Sequence, residues 1–295
     1  MDSSGLIGVF DSGVGGLSVW REIARRLPCE DTLYLADQAH VPYGSRRMVE
    51  VREFSEGIVR FLLAQGAKII VIACNTASAA ALHYLRDRFP GVPFVGMEPA
   101  VKPAVEQTRN GAVGVIATQA TFQGELFASL LQRYATGVRV LTRVCPGLVE
   151  AVEAGALDTP ETEALVRACL APLIEAGVDR LVLGCTHYPF LRPTIERVVG
   201  ADVVVIDPAP AVARQAGRVL ARRGMAATAA SCREGRGERV GRCVFCTSGD
   251  EVAFGATLGR LLHRVEDDVD VRAIRWRDRR LEGGLLTRTS ARRQG

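Results

Sequence analysis

The chain has 295 residues, 48% hydrophobic and 24% charged, which is the balance of a globular protein with room for two ordinary domains or one large α/β domain. Its net charge of +4 is unevenly spread: Arg272 to Gly295 carries eight Arg against Asp278 and Glu282, a surplus of +6 that leaves −2 for the rest. The start, Met1 to Gly5, has no basic stretch, and no apolar run reaches membrane-span length; the expectation is a cytoplasmic protein whose eight cysteines are free thiols.

Short β-branched runs alternate with helical stretches along the chain. The expected strands are Leu6–Phe10, Thr32–Ala36, Lys68–Ala73, Pro93–Gly96, Ala112–Ala117, Val138–Thr142, Arg180–Gly184, Asp202–Ile206 and Cys243–Thr247. Helical patterns cover Leu17–Leu27, Arg46–Gln65, Thr76–Phe89, Gln123–Tyr134, Pro160–Ala176, Ala209–Arg223 and Glu251–Val265. Strands separated by helix-length segments predict βαβ units and parallel sheets, and strands that are apolar throughout predict cover on both faces. Ser231–Arg242 is polar and rich in Gly and Arg, which predicts an exposed loop.

The sequence also echoes itself. Ile70-Val71-Ile72-Ala73-Cys74-Asn75-Thr76 resembles Leu181-Val182-Leu183-Gly184-Cys185-Thr186-His187, and Ile7 to Ser12 resembles Val113 to Thr118. Two related α/β halves facing each other explain both pairs. Pro99, Pro103 and the Asp207–Pro210 region punctuate the chain. They divide it into a first α/β domain over 1–98 and 208–267, a second over 99–207, and an Arg-rich tail over 268–295 expected to be disordered.

Four loops that follow expected strands carry the chemistry: Asp11-Ser12-Gly13-Val14-Gly15-Gly16, Asp37 through Pro42-Tyr43-Gly44-Ser45, Cys74-Asn75-Thr76, and Cys185-Thr186-His187-Tyr188-Pro189. Ligands of open parallel sheets bind at such carboxyl ends. The glycine-rich loop fits neither nucleotide signature, and Asp11 at its head repels phosphate. Its glycines are expected to take unusual backbone angles in a tight turn. A single cysteine after a buried strand is usually a small core residue. Here two stand at equivalent points, each followed by polar residues. Cys185 and His187 also suit a thiol hydrolase. Cys243 and Cys246, with Cys232 upstream, raise zinc, but a strand would point Cys243 and Cys246 to opposite faces. His83 falls in a helical stretch and reads as structural or exposed; His40 borders the second loop without an assignable role.

Asp11–Gly16, Pro42-Tyr43-Gly44, Ala73–Ala79 and Gly184–Pro189, in this order and spacing, resemble the bacterial glutamate racemases, and the resemblance runs from about Gly5 to Val265. It implies two flavodoxin-like α/β domains facing each other across a cleft. It implies cofactor-independent conversion of L-glutamate to D-glutamate for peptidoglycan, with no metal and no pyridoxal phosphate; no lysine stands in any of the four loops. In that scheme Cys74 takes the α-proton of the D-enantiomer and Cys185 that of the L-enantiomer. Asp11 assists Cys74, His187 assists Cys185, and Glu153 is the carboxylate beside His187. Substrate is held by Asp11, Ser12, Pro42, Tyr43, Gly44, Asn75, Thr76, Thr186 and His187, with Thr118 and Thr121 contributing. A homodimer is implied, together with a low-weight contact of the Arg-rich tail with nucleic acid or DNA gyrase. The competing readings are a related racemase acting on aspartate or a hydantoin, and a non-catalytic protein that binds an anion or a partner.

Overall fold

The computed structural model describes residues 5–228, 233–235, 238–263 and 270–283. The chain opens with β1 (Leu6–Asp11), α1 (Leu17–Arg26), β2 (Thr32–Ala36), α2 (Met48–Ala64), β3 (Ala67–Ile72), α3 (Asn75–Arg88) and β4 (Phe94–Val95). It continues through α4 (Val101–Gln107), β5 (Ala112–Ala117), α5 (Gln119–Gln123), α6 (Glu125–Tyr134), β6 (Arg139–Val144) and α7 (Leu148–Glu153). Next come α8 (Pro160–Glu175), β7 (Arg180–Gly184), α9 (Arg192–Val199), β8 (Val204–Ile206) and α10 (Ala209–Arg222). The last elements are β9 (Arg233–Gly235), β10 (Glu238–Val240), β11 (Cys243–Thr247), α11 (Glu251–Leu262), β12 (Asp270–Ala273), β13 (Arg275–Arg277) and β14 (Arg280–Glu282).

Two parallel sheets result. One has the order β12-β11-β2-β1-β3-β4 and the other β6-β5-β7-β8. Aligning β1 with β5 and β3 with β7 makes β2-β1-β3-β4 and β6-β5-β7-β8 the same arrangement, so the echo in the sequence is an echo in topology. The first sheet adds β11 and β12 beyond β2. Every residue of β1, β2, β5 and β7 is buried, as expected of strands with helices on both faces. α1 buries Leu17, Val19, Trp20 and Ile23 and ends on Arg25 and Arg26, which face the negative end of the helix dipole.

All nine expected strands form, with ends shifted by up to two residues. Four helices lie outside the expected stretches: α4, α5, α7 and α9. α4 and α7, of seven and six residues, are too short to show a period, and α9 begins at an Arg-Pro pair that reads as a loop. The helix expected over Gln123–Tyr134 forms as α6 and starts two residues later, because the extended backbone of Gly124 separates it from α5.

The C-terminal expectation needs correction. Residues 270–283 are ordered secondary structure: β12 pairs in parallel with β11, and β13 and β14 form a hairpin. β12 is a charged edge strand, with Asp270 gripped by Arg242 (3.0 Å) and Arg272 (2.8 Å), so its sequence lacks the apolar run of a central strand. Residues 284–295, which hold the rest of the tail expected to meet nucleic acid or gyrase, lie outside the described residues. The expected loop over Ser231–Arg242 contains the β9–β10 pair, and Cys232 lies outside the described residues.

The free-thiol expectation also fails in part. Cys145, after β6, and Cys169, on α8, are joined as a disulfide with Cα atoms 5.4 Å apart, and Cys29 is disulfide-bonded as well. Packing of α8 beside β6 brings the first pair within bonding range. Cys74, Cys185 and Cys246 are free thiols. Among the described residues no helix is long and apolar enough to cross a membrane.

Candidate active site

The carboxyl ends of the two sheets converge. From the first come Asp11 at the end of β1, Asp37 after β2, Cys74 after β3 and Thr247–Ser248 at β11; from the second come Thr118 after β5 and Cys185 after β7. Between them lies one cavity lined by Ser12, Pro42, Tyr43, Gly44, Cys74, Asn75, Thr76, Thr118, Thr121, Val149, Gly184, Cys185, Thr186 and His187. Both free cysteines at strand ends therefore face the same space. The cavity contains no Lys or Arg, and its volume is about 20 Å³, room for roughly one water. A ligand of amino-acid size needs more room than this closed cavity offers.

Cys74 caps α3 and is 5% exposed, its Sγ accepting the Ala77 N–H at 3.4 Å. Burial pushes this thiol well above its ordinary range, and the neighbouring charge of Asp11 adds to the effect; the N–H groups of Ala77 and Ser12 oppose it. Asp11 is fully buried. Its Oδ2 accepts Thr186 Oγ1 at 3.0 Å and its Oδ1 accepts Gly13 N–H at 2.9 Å. Burial raises this carboxyl, against the pull of His187 and these two donors.

Cys185 has a different neighbourhood. Its Sγ is 3.6 Å from His187 Nδ1, and His187 Nε2 is 2.7 Å from Glu153 Oε1. Burial works against the imidazolium, but the Cys185 sulfur and Glu153 outweigh it and hold His187 well above its ordinary range. Glu153 likewise loses to burial and gains more from His187, Val14 N–H and Gln38, ending below the usual carboxylate range. Glu153 Oε1 accepts Val14 N–H at 2.8 Å, and its Oε2 accepts Gln38 Nε2 at 3.1 Å. Thr247 Oγ1 in turn fixes Gln38 Oε1 at 2.8 Å.

The glycine-rich loop has a different reason for its glycines than the one expected. Gly13, Gly15 and Gly16 are absent from the positive-φ residues. What requires them is close approach: a Cβ on Gly13 would overlap the Glu153 carboxylate, one on Gly15 would overlap the His187 ring, and one on Gly16 would sit 2.6 Å from Asp11 Cβ. Tyr34 Oη pins the loop by donating to Gly13 C=O at 2.6 Å.

Hydroxyls and one amide complete the lining. Thr118 Oγ1 lies 2.9 Å from Thr76 Oγ1 and 3.0 Å from Thr121 Oγ1, linking the two halves. Gly44 packs on Thr118, where a Cβ would come within 2.8 Å. Asn75 is buried, and neither its Oδ1 nor its Nδ2 has a hydrogen-bond partner within the protein. Buried amides are normally paired, and this unpaired one belongs to the cavity lining.

Every residue assigned from the sequence to catalysis or substrate binding thus lies at the cavity or is bonded to a residue that does. Val149 and Gly184 also line it and were missed: they are apolar and small, and carry no chemical signal of their own. Gln38 and Thr247 were missed because their partners are 115 and 209 residues away along the chain. His83 is exposed on α3, and His40 contacts Asp37. Among the described residues no cluster of His, Cys, Asp or Glu suits a metal ion.

Two thiols facing one cavity from matching α/β halves, one of them backed by an imidazole–carboxylate pair, define a proton-transferring isomerase. The chain belongs to the Asp/Glu/Hydantoin racemase family, whose model matches residues 7–216. It is 57% identical over 225 residues to the glutamate racemase of Pseudomonas aeruginosa, covering 76% of this chain and 85% of that one. Solved structures agree. A glutamate racemase isoform from Bacillus anthracis matches with a TM-score of 0.80 at 34% identity, covering 91% of this chain and 97% of that chain. The Thermus thermophilus glutamate racemase in complex with β-chloro-D-alanine matches with a TM-score of 0.76 at 38% identity, covering 93% and 98%.

Proposed function

We propose that this protein interconverts L- and D-glutamate by two-sided proton transfer between Cys74 and Cys185, supplying D-glutamate for peptidoglycan. The observation that carries the reading is the unequal setting of the two sulfurs in one cavity. Cys74 is kept as a thiol by burial and by the charge of Asp11. Cys185 has a cation-prone His187 at 3.6 Å, the counter-charge a thiolate needs. For the L-enantiomer the steps run from Cys185 to Cys74. Cys185 removes the α-proton from one face, and Cys74 delivers its own proton to the other.

Turnover leaves Cys74 as thiolate and Cys185 as thiol. The Cys74 thiolate is then stabilised by Ala77 N–H at 3.4 Å and by the amino end of α3. The same steps in reverse consume the D-enantiomer. Proton removal next to a carboxylate builds negative charge, which preformed donors in a dry site stabilise. The available donors are the Asn75 amide, the hydroxyls of Ser12, Thr76, Thr118, Thr121 and Thr186, and backbone N–H groups, including that of Gly44 in the Pro42-Tyr43-Gly44 loop. With no Lys or Arg in the lining, they hold the substrate carboxylates through hydrogen bonds. The unpaired Asn75 amide supports this part of the reading most directly.

Incubation of the purified chain with L-glutamate and no added cofactor tests the reading, with D-glutamate followed by chiral chromatography and aspartate and hydantoins run in parallel. Formation of D-glutamate supports it. Turnover of aspartate or a hydantoin instead would keep the chemistry and replace the substrate.

A further inference from the structure

The β13–β14 hairpin lies beyond the residues that the family model matches, yet its Trp276 reaches back to the carboxyl end of β2. Trp276 Nε1 donates to Asp37 Oδ1 at 2.7 Å. Asp37 is fully buried, and its other oxygen accepts Tyr43 Oη at 2.6 Å and lies 2.9 Å from His40 Nδ1. Ser248 Oγ also donates to Oδ1, at 2.7 Å. The Trp276 ring meets His40 edge-on with centroids 5.2 Å apart, and His40 stacks on Phe54 at 3.8 Å. On α2, Gly57 leaves room for the indole: a Cβ there would stand 2.7 Å from Trp276 Cζ3.

Tyr43 and its neighbours Pro42 and Gly44 line the cavity that holds both catalytic thiols. A buried carboxyl group with fixed partners on both oxygens is a rigid anchor, since leaving any of them unpaired is costly. The hairpin, Asp37 and Tyr43 thus form one hydrogen-bonded line that ends at the loop. We propose that Trp276 is a positioning residue for the Pro42-Tyr43-Gly44 loop, acting through Asp37, so that the C-terminal hairpin is a working part of the site. The proposal rests on the reading that this loop binds substrate.

Trp276→Phe tests it, because the N–H to Asp37 is lost while one aromatic ring is kept beside His40; Tyr43→Phe, which removes a bond to the same carboxylate without changing ring size, separates this from the loss of the second indole ring. In the ligand-free protein, amide exchange over residues 38–46 should become about tenfold faster, as expected for loss of one hydrogen bond to a buried group. KM for glutamate should rise roughly three- to tenfold with kcat within about twofold. Tyr43→Phe should do the same, and the double variant should raise KM by less than the product of the two, because both bonds act through Asp37. Unchanged exchange overturns the proposal, as does faster exchange with KM unchanged, or a double variant whose effects multiply in full. The exchange comparison needs no substrate. A wild-type protein inactive on glutamate would therefore count against the substrate reading alone, while exchange would still decide whether Trp276 braces the loop.

Discussion

Glu153 Oε1 lies 2.7 Å from His187 Nε2, and the same oxygen accepts the Val14 N–H at 2.8 Å. Glu153 stands at the end of α7 and His187 follows β7, while Val14 belongs to the glycine-rich loop after β1. One carboxylate therefore sets the charge of the histidine beside Cys185 and ties the second half of the molecule to the first.

Glu153→Gln keeps the size and removes the charge. The imidazolium then loses its second-strongest support against burial, and the titration of His187 moves to lower pH. Racemisation should fall by roughly 10²-fold, the lower end of what a positioned acid–base group contributes. The alkaline limb of the kcat/KM profile should move toward neutral pH. A profile that keeps its shape would separate Glu153 from His187.

Cys74→Ser and Cys185→Ser should each lower racemisation by at least about 10³-fold. The two enantiomers have the same free energy in water, so kcat/KM must fall equally in both directions for each variant. Assays started from pure L- and pure D-glutamate check this, and near-normal turnover in either variant would rule out the two-thiol scheme.

Asn75→Ala should move stability and activity in opposite directions. Removing an amide that is buried without partners should stabilise the ligand-free protein by about 1 kcal/mol. The same change should raise KM, because the amide is available only to a ligand. Thermal melts with and without glutamate, beside steady-state kinetics, read both effects.

Gly13→Ala puts a methyl group into the Glu153 carboxylate. The expected cost is about 1–3 kcal/mol of stability, as for other overpacked sites, with activity lost through displacement of His187. Gly137→Ala is the comparison, since its surroundings are open; its φ of +77° confines any cost there to backbone strain.

Alkaline pH should destabilise the protein through Cys74. The folded thiol titrates well above an unfolded one, whose ordinary value is about 8.5. Above that pH the unfolded chain has released a proton that the folded chain retains, so stability falls as pH rises until the folded thiol also ionises. The slope approaches about 1.4 kcal/mol per pH unit for one full proton. Denaturant unfolding of the wild type and of Cys74→Ala at pH 8 and pH 10 should show the smaller loss in the variant.

Much of this was legible in the sequence, because apolar strands and strand-end loops announce themselves locally. The pairing of Cys74 with Cys185 came from two similar segments, and the sheet orders repeat it. The resemblance already pointed to Glu153 as the carboxylate beside His187, and α7 turns it toward that ring while leaving Glu150 exposed. The glycines of the first loop were read as backbone freedom, whereas Gly13 and Gly15 make room for side chains more than 100 residues distant and Gly16 for Asp11 beside it. Trp276 was hidden altogether. Its Arg-rich surroundings carry no apolar period, and its partner is 239 residues away.

The most direct test follows the α-hydrogen. Purified protein is incubated with L-glutamate in deuterated water, and early D-glutamate and remaining L-glutamate are separated and weighed by mass spectrometry. With two monoprotic bases on opposite faces, the D-glutamate formed first carries solvent deuterium at its α-carbon, and the remaining L-glutamate stays unlabelled. D-glutamate that keeps the substrate's own hydrogen, or L-glutamate that exchanges ahead of product, would mean a single base serves both faces and would contradict the assignment of Cys74 and Cys185.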